Sequence, residues 1–463
     1  MINFQCGSFA ACWTGPEQSL SLDPQRAVST AGANDDEWMR WSGPLWKADP
    51  KTADPKTADP KQAMNDTDNT VTVRVHSKIA EIPAATWDAC AGNVNPTVSH
   101  TFLNALEESG STTTRTGWAP QHLSLAGAGD EIIGVVPLYA KTHSYGEYIF
   151  DYGWADAYER AGGRYYPKLL SAVPFTPVPG PRLLLRPNAP AEAREHLLAG
   201  MVEFANRRRI SSLHVNFPKP DEADALTEVG FLQRVGQQFH WTNEGYRDFD
   251  DFLAALNSRK RKAVKRERRE ALARGLEIEV LTGSDLKPRH WDAFFEFYLA
   301  TSDRKWGSAY LNRRFFAMIG ERMPDKIVLM MARHGAKYVA GAFNLLGKDA
   351  IYGRNWGSYG DYKFLHFECC YYQAIEFAIA HSLKRVEAGA QGPHKIQRGY
   401  LPAPTYSAHW IADPAFRRAV AQFLARERQM IEHKMEGLAE FSPFRQEQLS
   451  CSSRSQGEPT EEN

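Results

Sequence analysis

Cysteine is scarce in this chain, with six in 463 residues at Cys6, Cys12, Cys90, Cys369, Cys370 and Cys451. None shows C-x-x-C spacing, and the one adjacent pair sits inside a helical pattern. That argues against a structural zinc site and for a reducing compartment. Net charge is also lacking: Lys plus Arg is 55 and Asp plus Glu is 55, so no global field favours nucleic acid or membrane. No apolar run reaches the roughly 18 residues a membrane span needs. Met1 to Trp13 lacks the basic and long apolar regions of a signal peptide. These absences predict a cytoplasmic protein with no membrane span. Hydrophobic residues at 43% and charged residues at 24% suit an ordinary globular chain, long enough for two or three domains.

The opening residues read differently from the rest. Lys47 to Lys61 repeats Ala-Asp-Pro-Lys-Thr with a period of five. Proline at that spacing blocks helix and sheet alike. Residues 1–70 are therefore expected to be a disordered extension. Residues 1–63 are either an over-long gene start or a genuine tail. A polar tail is expected over 441–463.

Between these ends the chain repeats one order of elements. The first pass, 71–245, begins with the alternating strand Val71-Thr-Val-Arg-Val75. Helices follow over 83–91 and 99–109, with Ser99 as a candidate cap. A hairpin (122–126 with 132–140), a strand at 148–152, a helix over 191–207 and a strand over 212–217 come next. A short helix (221–228) and a strand (233–242) close the pass. The second pass, 276–440, repeats strand (278–281), two helices (290–303, 312–322), hairpin (327–333 with 338–346), strand (350–355), long helix (362–382) and strand (385–388). Two α/β domains of one topology, each with a mainly antiparallel mixed sheet, are expected.

A basic segment, 246–275, joins the passes. Asp251 to Arg274 holds nine cations and three carboxylates, a net of +6, with few helix breakers. It reads either as a solvated helix face or as a phosphate-binding arm for RNA or a cofactor.

The densest group of reactive residue types is Arg385-Val-Glu-Ala-Gly-Ala-Gln-Gly-Pro-His-Lys395. Its glycines let a backbone approach a ligand, and Glu387, His394 and Lys395 can each move a proton. Glu368, beside Leu365 and Cys369, is expected to be partly buried, which raises a carboxylate toward a base's range. Glu387 and Glu368 lead as candidate bases, then His394. The alternative for each carboxylate is an ion pair with Arg354, Arg385 or Lys395. Asp151, Trp154, Asp156 and Tyr158 form an acidic, aromatic set suited to a cationic or sugar-like acceptor, or a packed loop. Trp306 and Tyr310 read as cleft walls or as core. Gln391 and Arg398 are further substrate-binding candidates. A Cys369 or Cys370 nucleophile is not expected, because no His-Asp partner is evident.

Several stretches, taken together, are similar to one family. They are Phe150-Asp-Tyr-Gly-Trp-Ala-Asp-Ala-Tyr158, Leu256 to Ala271, Tyr352-Gly-Arg-Asn-Trp-Gly357, Leu365-His-Phe-Glu368, Gly389-Ala-Gln-Gly392 with His394-Lys395, and Thr405-Tyr-Ser-Ala-His-Trp410. The chain resembles FemAB-like predicted N-acyltransferases over about residues 71 to 435. The resemblance implies tandem GNAT-like domains. It implies transfer of an acyl or aminoacyl group to a small-molecule or peptide amine by direct attack. No tightly bound cofactor is implied; the co-substrate is acyl-CoA, or aminoacyl-tRNA held by the basic helix 258–274. The family loop usually carries an acidic residue where this chain has Pro393. Arg354-Asn-Trp-Gly357-Ser-Tyr-Gly360 is close to the GNAT phosphate loop, with one extra residue before the last glycine. It makes Arg354, Gly357, Gly360 and Lys395 the donor-binding candidates, or else a turn that merely needs glycine. The competing reading is a non-catalytic ligand-binding protein on the same fold.

Overall fold

A computed structural model describes residues 38–41, 71–305, 309–389 and 392–445, all within one compact unit. The rest of the expected extension, the tail from 446, and the candidates Trp306 and Gln391 lie outside the described residues. One short piece of the extension is described. Trp38–Trp41 forms β1 and pairs antiparallel with residues 71–74.

The first half runs β2 (Val71–His76), α1 (Ala84–Ala91), α2 (His100–Glu108), β3 (Trp118–Pro120), β4 (His122–Ala126), β5 (Ile132–Val136), β6 (Leu138–Lys141) and α3 (Tyr152–Arg160). It continues with β7 (Lys168–Ser171), β8 (Leu184–Leu185), α4 (Ala193–Arg207), β9 (Ser212–Asn216), α5 (Pro220–Glu228) and β10 (Leu232–Thr242). Ser99 caps α2 as expected, accepting from the Phe102 amide at 3.3 Å. The hairpin's second strand is split at Pro137, where a residue without an N–H cannot continue the ladder. β5 stays in a five-stranded antiparallel sheet, and β6 passes into a larger one. The strand expected at 148–152 is instead irregular chain leading into α3. Buried carboxylates at Glu147 and Asp151 override the strand pattern there.

The expected single basic helix is two: α6 (Phe249–Ala255) and α7 (Ser258–Leu272). The break falls where Asn257 turns to cap α7, accepting from the Lys260 amide at 3.0 Å. The second half runs β11 (Leu276–Leu281), α8 (Pro288–Lys305), α9 (Arg313–Arg322), β12 (Ile327–His334), β13 (Lys337–Leu346), β14 (Ala350–Ser358), α10 (Leu365–Phe367), a π-helical turn (Glu368–Tyr372), α11 (Gln373–Ala380) and β15 (Arg385–Glu387). The chain closes with β16 (Leu401–Ile411) and α12 (Pro414–Ala439).

The two halves repeat strand, two helices, hairpin, strand, helix, strand, and they share one 11-stranded sheet. Its order is β11-β12-β13-β14-β15-β10-β16-β9-β7-β6-β3. Two pairs in it are parallel: β14 with β15, and β7 with β9. The closing strands are exchanged. β10, from the first half, pairs with β15 of the second; β16, from the second, pairs with β9 of the first. His214 on β9 and His409 on β16 lock this exchange, with Nδ1 atoms 2.7 Å apart, so one ring must donate and the other accept. Both rings are buried, which pushes their pKa values down and keeps them neutral. Apolar packing also crosses the halves, as Phe102 of α2 meets Phe315 of α9 edge to face. No helix among the described residues is long and apolar enough to cross a membrane.

α7 is tied to the second half by ion pairs from two successive residues. Glu267 accepts from Arg398 at 2.8 and 3.1 Å. Arg268 reaches the fully buried Glu368 at 2.9 Å and the exposed Glu376 at 2.7 Å. Removing Glu368 leaves the Arg268 cation half-buried beside one exposed partner. Glu368→Ala should therefore lower the free energy of unfolding by about 3 kcal/mol, read from urea unfolding followed by circular dichroism. An unchanged transition would contradict the tether.

A candidate active-site cleft

β14 and β15 pair over Ala350–Tyr352 and Arg385–Glu387, and then part. β14 runs on to Ser358, while the other chain leaves through Ala388 into a 3-10 segment, Pro393–Arg398. A cavity of about 370 Å³ opens at this parting. One wall is β14 from Gly353 to Trp356. There the ladder steps from Phe343–Asn355 to Asn344–Gly353, which makes Arg354 the extra residue of a bulge. A bulge takes its backbone out of the ladder and bends the strand beside a site. The structure corrects the sequence expectation here: Arg354 to Gly357 belong to the strand, not to a loop between strand and helix.

The second wall is the helix that follows. Its π-helical turn inserts one extra residue per turn and re-aims the side chains around it. Cys369 thus enters the core, while Cys370, with His366 and Tyr371, lines the cavity. The third wall is the loop holding Gly392, His394 and Lys395. Gly392 has φ 96° and Gly399 φ 92°, so both ends of the 3-10 segment need glycine.

Lys395 is buried, and its Nζ donates to the carbonyls of Ala388 at 2.6 Å and Gly389 at 3.1 Å. These are the first residues beyond the parting, and Phe239 of β10 also holds them, with Ala388 N–H donating to its carbonyl and its N–H donating to the Gly389 carbonyl, both at 3.2 Å. An ammonium has three donors; two are used on the Ala388 and Gly389 carbonyls, and the Phe239 ring lies 5.7 Å from Nζ. Burial pushes its pKa down to about 8. His394 is exposed, with Nε2 3.1 Å from the Tyr371 hydroxyl. Desolvation by the surrounding chain, then Arg398 and Lys395, lower its pKa, which keeps a neutral imidazole near pH 7.

The other candidates are placed as follows. Glu387 is buried on β15, accepts from Arg385 Nε at 2.7 Å, and leaves Oε2 without a hydrogen bond, 4.0 Å from His240 Nε2. It sits at the last pairing position rather than on the cavity wall. Glu368 faces Arg268 and Gln373 and also stands outside that wall. Arg398 pairs with Glu267 and lies over the Phe367 ring. Arg354 lines the cavity and donates to the Phe175 carbonyl, which binds the first half to the cleft rim. A Cβ on Gly357 would run into the Phe297 carbonyl, so packing against α8 explains that glycine. Gly360 lies in the turn after β14. Tyr310 stacks on Phe175 at 5.1 Å and 12°, beside the rim.

The first half's parallel pair parts in the same way after Ser171 and Val215, but its gap is filled. Gly180 donates to the Phe217 carbonyl, and the buried Arg182 donates to carbonyls of Asn216, Gly180, Pro181 and Val178. The Asp151 to Tyr158 set is packed rather than open. Trp154 meets His409 and Phe423, and Tyr158 stacks on Phe416 at 4.5 Å. Asp156 is exposed and pairs with Arg160. Asp151 binds the buried Lys168 at 2.5 Å, and that ammonium holds its carboxyl well below the usual range despite burial. Sequence reasoning missed Lys168, Glu147 and Lys141 in this buried group. A lysine at the start of an apolar strand run, as at Lys168-Leu-Leu170, was the available signal.

Because the Lys395 pKa is lowered on folding, the unfolded chain binds more protons between pH 8 and 10.5. Its burial cost is fully present below pH 8 and is relieved as pH rises toward 10.5. The unfolding free energy of the wild type relative to Lys395→Met should therefore rise across that window in urea titrations. A flat difference would show an ordinary lysine.

Residues 78–446 match the FemAB-like family, described as peptidoglycan biosynthesis/recognition. Among solved structures, FemX is 12% identical and covers 75% of this chain and 99% of its own, with a TM-score of 0.47. L-PGS from Bacillus licheniformis is 8% identical over 72% of this chain and 98% of its own, with a TM-score of 0.44. A tandem GNAT protein of clavulanic acid biosynthesis is 12% identical over 74% and 99%, with a TM-score of 0.39. No curated protein matches the sequence. The family match spans most of the chain, and the protein belongs to the FemAB-like family.

Proposed function

We propose that this protein is a cytoplasmic N-acyltransferase of cell-envelope metabolism. It moves an acyl or aminoacyl group from acyl-CoA or aminoacyl-tRNA to an amine. The observation that carries this reading is the second-half cleft, open at a strand parting and walled by a bulged strand, His394 and Lys395. The donor's carbonyl enters between the bulge and Lys395. The acceptor amine attacks the carbonyl carbon directly, forming the C–N bond. The third N–H of Lys395 meets the oxyanion, in a site where a fixed donor is worth far more than in water. His394, neutral near pH 7, takes the proton that the amine loses. Collapse breaks the C–S bond of a thioester or the C–O bond of an aminoacyl ester.

One observation favours an RNA donor over coenzyme A. Arg259, Lys262, Arg266 and Arg269 are exposed at helical spacing along α7. That stripe tracks an extended row of phosphates better than one compact pyrophosphate.

The test is transfer from radiolabelled acetyl-CoA and from aminoacyl-tRNA to a panel of amines. Product should form with one donor class, and His394→Ala and Lys395→Met should each lower kcat by about 100-fold or more. Full turnover in both variants would refute these assignments. A wild type inert with both donors would favour the non-catalytic binding reading.

A further inference from the structure

Two neighbouring features of the cleft wall weaken the fold and return nothing to it. Asn344 on β13 and Gly353 on β14 stand opposite each other in the ladder, beside the bulge, and both line the cavity. Asn344 is only 1% exposed. Its Nδ2 donates to the carbonyls of Val328 at 3.1 Å and Ala342 at 3.3 Å, while its Oδ1 accepts from no described residue. A buried amide oxygen left unpaired is unfavourable, and native structures hold few without a reason.

Gly353 is unexplained in the same way. Its φ lies outside the left-handed region. A Cβ there would meet the Glu387 carbonyl oxygen at 3.4 Å, Asn344 Oδ1 at 3.6 Å and Ala388 Cα at 3.9 Å, all ordinary contacts. Alanine would therefore fit, and glycine inside a strand is the less stable choice. Packing requires Gly357 and the backbone requires Gly392, but neither requires Gly353. What the missing side chain leaves is a gap over the main chain with Asn344 Oδ1 at its edge. Glycine within a strand marks places where a ligand approaches the backbone closely.

The chemistry of the gap restricts its occupant. Asn344 Oδ1 is a neutral acceptor, so it takes an N–H or an O–H. The described wall carries two cations, Arg354 and Lys395, and no carboxylate. An ammonium there would be buried beside like charge with no counter-ion, which is strongly unfavourable. A hydroxyl or an unprotonated amine meets the oxygen without that penalty.

We infer that Asn344 and Gly353 are the specificity-determining pair of the cleft, and that they select an uncharged acyl group bearing a hydroxyl or free amine near its carbonyl. The inference rests on the acyltransferase reading. With the carbonyl between the bulge and Lys395, the rest of the acyl group lies over Gly353, and its hydroxyl or amine donates to Asn344 Oδ1.

The test is competition between acyl groups on one carrier. Acetyl, glycolyl, glycyl and lactyl groups are each supplied to the full chain as the CoA thioester and as the RNA ester. The wild type should prefer glycolyl to acetyl. Asn344→Leu should lower the glycolyl-to-acetyl ratio of kcat/KM about fivefold to tenfold. Asn344→Asp should shift preference toward glycyl, whose ammonium then meets a carboxylate. Gly353→Ala should lower lactyl transfer about tenfold relative to glycolyl, because the added methyl group fills the gap. Ratios taken within one variant do not change with the amount of folded protein. An unchanged ratio in Asn344→Leu, or a wild type that prefers acetyl, would overturn the inference and leave the acyltransferase reading standing. A wild type inert with every acyl donor would remove both.

Discussion

The pairing of β14 with β15 stops at Tyr352 and Glu387, and the candidate cleft depends on that stop. Parallel strands that part leave backbone groups with no ladder partner and a gap that something must fill. In the second half, Lys395 holds the departing carbonyls and the gap stays open. In the first half, Arg182 and its own segment close the equivalent gap. One fold, used twice, thus provides one open cleft and one rigid support.

The shared sheet makes that support possible. With β10 and β16 exchanged, neither half completes its sheet alone. The buried His214–His409 contact and the Arg354–Phe175 bond both cross the seam. The cleft rim is therefore built from both halves. Glu147 and Asp151, gathered on Lys168, fix the first half's contribution to it.

Much of this was legible in the sequence, and the failures share a cause. Hydrophobic period revealed the repeated order of elements because period is local. The exchange of β10 and β16 was not legible, since pairing partners more than 140 residues apart leave no local mark. Glu368 looked like a base because its neighbours are apolar; Arg268, 100 residues earlier, was invisible as its partner. Gly357 looked like part of a phosphate loop, yet the close approach of α8 is what requires it. The place of His394 and Lys395 beside a cavity was legible because their loop is punctuated by glycines that only a special backbone path needs. The exposed aromatic residues at Tyr145 to Tyr152 were hidden because a strand and an irregular surface loop can share one alternation.

On the acyltransferase reading, the donor's acyl group enters the second-half cleft and not the first-half gap. Photo-crosslinking with a donor carrying a diazirine on its acyl chain, as both the CoA thioester and the aminoacyl-RNA ester, tests it directly. Peptide mapping should place adducts on residues 353–356, 366–371 and 392–395. Adducts confined to residues 172–182 and 216–217 would instead place the acyl group in the first-half gap and refute the second-half assignment.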